Sequence, residues 1–171
     1  MTPEFSRRFA LDSIGLTPRA VAIDATAAER TALAVRFDLA TLQNLAANAT
    51  LKAGGTGVDT QGRLIADVVQ RCVVTGDPVA SHIDEAFTLR FVDPDLLRSD
   101  SDEIELNATD CDLIAVEDGA VDLGEAVAQT LGLALDPFPR SEAERARADE
   151  RKWAAGEEAG PFAGLKGLLG S

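Results

Sequence analysis

Residues 62–92, GRLIADVVQRCVVTGDPVASHIDEAFTLRFV, decide how the chain folds. Ile83, Phe87, Leu89 and Phe91 alternate with His82, Ala86, Thr88 and Arg90, the period-two pattern of a strand with one face buried. Leu64 to Val74 is apolar on both faces, as in a strand covered from both sides. Thr75, Gly76, Asp77 and Pro78 between them supply turn chemistry. The stretch therefore reads as a long β-hairpin. Gln70, Arg71 and Cys72 stand just before its turn, and His82, the chain's single histidine, just after it.

Upstream, Leu39, Leu42 and Leu45 have helical spacing, whereas Leu45, Ala47, Ala49, Leu51 and Ala53 alternate. Asn48, Ala49 and Thr50 make a poor helix interior, and Gly54, Gly55 and Gly57 lead directly into the hairpin. A strand over about 45–53, antiparallel to the next, is the better reading. Three strands, near 45–53, 63–74 and 79–92, then form a meander. Phe5, Phe9 and Leu11, and Val21, Ile23 and Ala25, suggest two more strands that extend it, although Arg7 falls on the apolar side of the first. Thr26 and Glu29 have capping-box spacing ahead of a helix over about 27–37. Asp122 and Glu125 repeat that spacing, and Leu123, Val127, Leu131 and Leu135 recur every fourth residue until Pro137 closes the helix. SEAERARADERKWAA, from Ser141, predicts a charged, solvated helix. The last apolar residues, Phe162, Leu165, Leu168 and Leu169, offer one turn for docking on the body or on a partner.

The expected fold class is α+β: an antiparallel sheet, as a meander or partly open barrel, covered by two main helices, with an acidic loop and a C-terminal helical tail. Residues 1–140 form the domain and 141–171 the tail.

The 171 residues suffice for one domain with a real core, and the net charge is −13. That charge is concentrated: residues 1–92 hold 10 acids and 9 bases, residues 93–120 hold 10 acids against Arg98 alone, and the remainder 9 acids and 6 bases. Residues 93–120 thus predict a mobile acidic loop. It would repel phosphate backbones at long range, which disfavours nucleic-acid binding by the whole surface and favours a basic protein partner. Local RNA contact through Arg63, Arg71 or Arg90 stays open. The N-terminus lacks the apolar stretch of a secretory signal and no apolar run spans a bilayer, so a cytoplasmic location is expected.

Cys72 and His82, across the hairpin turn, raise a nucleophile and base pair. Cys72, however, shares its strand face with Leu64, Ala66 and Val68, where a cysteine is more often a small buried hydrophobe. Cys72, Cys111 and His82 give at most three soft metal ligands, without paired CxxC spacing. No Walker A, GxSxG or HExxH sequence occurs, and no cofactor is expected.

The run ADVVQRCVVTGDPV (66–79), the strand ending FTLRF (87–91), the acidic gap, VDLGEAVAQTLGLALDPFPR (121–140) and a terminal PFAGL (161–165) together resemble the YceD family, the large ribosomal RNA subunit accumulation proteins. Many members carry Cys-x-Arg-Cys; Arg71 and Cys72 match it, while Val69 stands at the first cysteine, so the resemblance carries no metal or disulfide pair onto this chain. Pro137 and Pro139 reproduce the proline pair at the helix exit. The resemblance implies a cytoplasmic, non-enzymatic factor for 23S ribosomal RNA accumulation, processing or large-subunit assembly. Its partner would be ribosomal RNA or a basic large-subunit ribosomal or assembly protein, met through Arg71, Cys72, Asp136, Pro137, Pro139 and Arg140. Two other readings stand beside it: a small thiol- or metal-dependent enzyme using Cys72 and His82, and a binding module for a basic partner outside the ribosome.

Overall fold

The computed structural model describes residues 3–95 and 112–158, with side chains through residue 154. The chain divides into two compact units: residues 1–70 with 80–136, and residues 71–79 with 137–171. Its strands are β1 (Arg8–Ala10), β2 (Arg19–Asp24), β3 (Thr41–Gly54), β4 (Gly57–Arg71), β5 (Pro78–Val92), β6 (Asp112–Ala115) and β7 (Ala120–Asp122). Among the elements bounded within the described residues, the helices are α1 (Ala27–Arg36), α2 (Leu123–Ala134) and α3 (Glu142–Glu158). The chain is thus α+β.

The expected meander is β3-β4-β5 at the centre of a five-stranded sheet of order β2-β3-β4-β5-β6. β3 and β4 run longer than their sequence signals because the glycine cluster is spent on a two-residue loop: Gly54 pairs with Gly57, and Gly55 takes φ +56°, which glycine adopts at least cost. The conflicting spacings around Leu42 also resolve. The register slips between Leu42 and Asn44, a β-bulge at Gln43 that flips the side-chain parity, so Leu42 and Leu45 both face the core three residues apart.

Two expectations need correction. The first N-terminal strand does not join the large sheet: β1 pairs with β7 in a sheet of two strands, with Phe9 opposite Val121, and only β2 extends the meander. The large sheet is also mixed rather than antiparallel, because β6 lies parallel to β5, with Phe91 opposite Ile114. Leu113, Ile114, Ala115 and Val116 form a short apolar run between acidic residues, a strand signal outweighed in the sequence by the surrounding charge, and the region expected to be loop from 93 to 120 contains β6 and the start of β7. Residues 96–111, which hold most of the expected acidic loop and Cys111, lie outside the described residues, as does the apolar end of the tail.

The core gathers the inward residues of β3, β4 and β5 with Phe5, with Leu33 of α1 and with Leu123, Val127 and Leu131 of α2. One polar atom lies among them without a partner: Thr60 Oγ1, on a residue that is 0% exposed opposite Leu51. A buried hydroxyl without a hydrogen bond is destabilising. Thr60→Val keeps the shape and removes the orphan, so chemical denaturation should show a gain of about 1–2 kcal/mol.

Arg7, which broke the apolar pattern of the first strand, lies outside β1. Its guanidinium holds both carboxylate oxygens of Glu29, at 2.7 and 3.0 Å, and lies 4.8 Å from the Phe5 ring centroid. Glu29 also closes the capping box, accepting the Thr26 amide at 2.7 Å. The Arg7 hydrogen bonds hold the Glu29 carboxyl at about 2, below its usual range. Such a lowered carboxylate stabilises the fold above its unfolded pKa, near 4.5, and loses that effect as pH falls through about 2. Glu29→Gln should therefore cost about 1–2 kcal/mol at neutral pH, with the gap to wild type closing as pH falls from 4.5 towards 2.

Candidate partner-binding site

The segment VDLGEAV works first as a clamp. Asp122 caps α2 by accepting the Glu125 amide at 3.2 Å, and the same carboxylate accepts the Ser6 hydroxyl and the Arg7 amide. Leu123 donates its amide to the Arg7 carbonyl at 3.0 Å. Glu125 holds Arg36 of α1 through two bonds of 2.8 and 2.9 Å, which lower its carboxyl pKa. This half of the signature is structural: it ties the N-terminal segment and α1 to the start of α2.

The other half is the helix exit, and it sits on the loop that follows β4. In the larger unit the Gln70 side chain donates to the Asp136 carbonyl at 2.9 Å. In the smaller unit Val73 donates its amide to the Pro139 carbonyl at 2.9 Å. The loop is closed on itself by Cys72 N–H to the Asp77 carbonyl and Gly76 N–H to the Cys72 carbonyl, both 2.8 Å, with Gly76 at φ +78°. Ser141 caps α3 by accepting the Glu144 amide at 3.4 Å, while its own amide faces the Cys72 sulfur.

Cys72 is 3% exposed. Its thiol faces the Thr75 hydroxyl and the backbone amides of Ser141, Thr75 and Val74, which stabilise a thiolate and bring its pKa down from 9.0 to about 6. Thr75 has one hydroxyl proton for two acceptors, because its oxygen also lies 2.7 Å from Asp77 Oδ2. The full lowering therefore requires that proton to turn to sulfur. A lowered pKa stabilises the fold above the unfolded value of 9 and the effect disappears as pH falls through about 6. In a Cys111→Ser background, Cys72→Ser should lose stability relative to the parent increasingly from pH 6 to 9, as read by thermal melts across that range.

The residues singled out in the sequence take different positions. Arg71, Pro137 and Arg140 are exposed, Cys72 and Pro139 are buried, and Asp136 is exposed with its carbonyl bonded to Gln70. Five of them, Arg71, Cys72, Pro137, Pro139 and Arg140, belong to the smaller unit. His82 has a partner of its own on the large sheet, Asp67 Oδ1 at 2.6 Å from its Nδ1. Among the described residues no three His, Cys, Asp or Glu side chains are grouped to hold a metal ion.

The three arginines considered for RNA contact are not equivalent. Arg63 is held by both oxygens of Asp84. Arg90 lies 3.6 Å from Asp59 and reaches the Gly54 carbonyl. Arg71 and Arg140 form no ion pair among the described residues. The sequence reading passed over three neighbours: Val73, Val74 and Phe138 are 54%, 59% and 71% exposed. Two valines abutting a turn signal and a phenylalanine between two prolines are poorly placed for burial, and that was the available hint.

The model of the family described as large ribosomal RNA subunit accumulation protein YceD matches residues 60–169. No curated protein and no solved structure matches the chain. No helix among the described residues is long and apolar enough to cross a membrane.

Proposed function

Because the chain belongs to the YceD family, we propose that it is a non-enzymatic factor supporting accumulation, processing or assembly of the 23S RNA of the large ribosomal subunit. The observation that carries this reading is the family match, which runs from β4 through α3 and so includes both segments of the smaller unit. The charge distribution supports two kinds of contact. The larger unit carries 22 acids and 9 bases, whereas the smaller carries seven of each. A basic large-subunit ribosomal or assembly protein suits the larger unit, whose field attracts it and repels phosphate.

The partners of Cys72 and His82 favour this reading over a thiol enzyme. A catalytic pair needs the base on the nucleophile, whereas His82 holds Asp67 and the Cys72 sulfur is surrounded by Thr75, Val74 and Ser141. Depleting the protein in cells and measuring 23S against 16S RNA tests the proposal. The expected result is a fall in the 23S share that the full-length protein restores; an unchanged ratio would sink it. A pull-down at two salt concentrations, with and without nuclease, tests the partner. A basic large-subunit protein retained after nuclease and lost at high salt is expected, and enrichment of only non-ribosomal basic proteins would favour a module acting elsewhere.

A further inference from the structure

The smaller unit sets arginines and exposed apolar side chains side by side. The amide of Val73 donates to the Pro139 carbonyl at 2.9 Å and sets residues 71–74 beside residues 138–141. Arg71 and Arg140 stand on these two segments, both exposed. Val73, Val74 and Phe138 stand on the same segments, each more than half exposed.

We propose that the exposed side chains of these two segments form one face that contacts single-stranded RNA, with Arg71 and Arg140 on phosphates, Phe138 stacked on an unpaired base and the two valines against ribose. The proposal rests on the ribosomal RNA reading above and names the surface that would meet the RNA. Four observations carry it. The two cations have no carboxylate partner among the described residues, unlike Arg7, Arg36 and Arg63. The net charge of −13 belongs wholly to the larger unit, so phosphate approaches the balanced one at least electrostatic cost. An exposed aromatic ring beside arginines is the combination that binds unpaired bases, whereas duplex RNA keeps its bases out of reach. The face is also small: three apolar side chains on a loop and a turn fall well short of the roughly 800 Å² per partner of a stable protein interface, but suffice for a few nucleotides.

The test uses the full chain and a labelled, unstructured RNA oligonucleotide, followed by fluorescence anisotropy over a range of salt concentrations. Wild type should bind the single strand more tightly than the same sequence in a duplex. R71A/R140A should weaken single-strand binding about tenfold or more and reduce the slope of log affinity against log salt by about 1.4, for two lost phosphate contacts. F138A should weaken binding about tenfold with the slope unchanged, because stacking releases no counterions. R63A, which removes a cation already neutralised by Asp84, should bind as wild type does. Equal affinity of wild type and R71A/R140A, or no RNA binding by wild type, overturns the proposal. So does capture of an acidic protein that the double variant loses while RNA affinity stays intact. The same variant separates the contact from the function: lost RNA binding with normal 23S levels supports the contact and overturns the functional reading. Normal binding with lost 23S overturns the contact and leaves that reading standing.

Discussion

Gly124→Ala should lower the stability of the protein by about 3 kcal/mol or more, although alanine is the better helix former by about 1 kcal/mol. A Cβ at this position of α2 would lie 2.8 Å from the Arg7 nitrogen and the Phe5 oxygen and 2.9 Å from the Ser6 carbonyl carbon. All three are backbone atoms, so no rotamer change relieves the contact. The segment that would have to move carries Phe5, which is 0% exposed, and supplies the Ser6 and Arg7 donors to Asp122. Displacing it breaks both of those bonds to the capping residue and opens the core together. Urea denaturation should show a lower midpoint with an unchanged slope. Asp122→Ala, which removes the carboxylate and leaves the backbone contact in place, should cost less, about 1–2 kcal/mol. A neutral or stabilising Gly124→Ala would mean that the N-terminal segment is not seated on α2 as described.

How much of this was legible in the sequence depends on whether a residue's role is local. The capping box of Thr26 and Glu29 and the Asp122 cap were legible because each is fixed within one helical turn. The hairpin was legible because β5 alternates from Ala86 to Phe91. The bulge at Gln43 was not, since a one-residue slip makes a strand mimic helical spacing. Nor was the parallel pairing of β6 with β5, which is set by the fold, although the apolar run from Leu113 to Val116 was there to be read. Of the candidate residues, Arg71 and Cys72 stood out beside the hairpin turn, and Asp136, Pro137, Pro139 and Arg140 entered only through the family resemblance. That Arg71 differs from Arg63 and Arg90 was invisible, because ion pairing with Asp84 or Asp59 depends on which residues neighbour each other across the sheet. Val73, Val74 and Phe138 read as ordinary apolar residues until their exposure was known.

Gly62, the first residue of the hairpin stretch, should not tolerate alanine. It pairs with Ala49 in β3, and a Cβ there would lie 2.5 Å from the Asn48 carbonyl oxygen, 2.5 Å from Phe87 Cζ and 2.9 Å from Ala49 Cβ. The missing side chain is the space that the Phe87 ring fills, which is how a 7% exposed phenylalanine packs over the strands beside it. The obstacles differ in kind. Phe87 is a side chain and can be removed; the Asn48 carbonyl belongs to the β3–β4 ladder and cannot shift without breaking pairs on either side. Gly62→Ala should therefore cost about 3 kcal/mol or more. Combining it with Phe87→Ala, which alone should cost about 3–5 kcal/mol, separates the two terms. If the ring is the main obstacle, the double variant should be little worse than Phe87→Ala alone; if the carbonyl dominates, the two costs should add. The carbonyl lies equally close and is the more rigid, so near-additive losses in denaturation midpoint are expected, and full rescue by Phe87→Ala would show that the sheet gives way where its register says it should not.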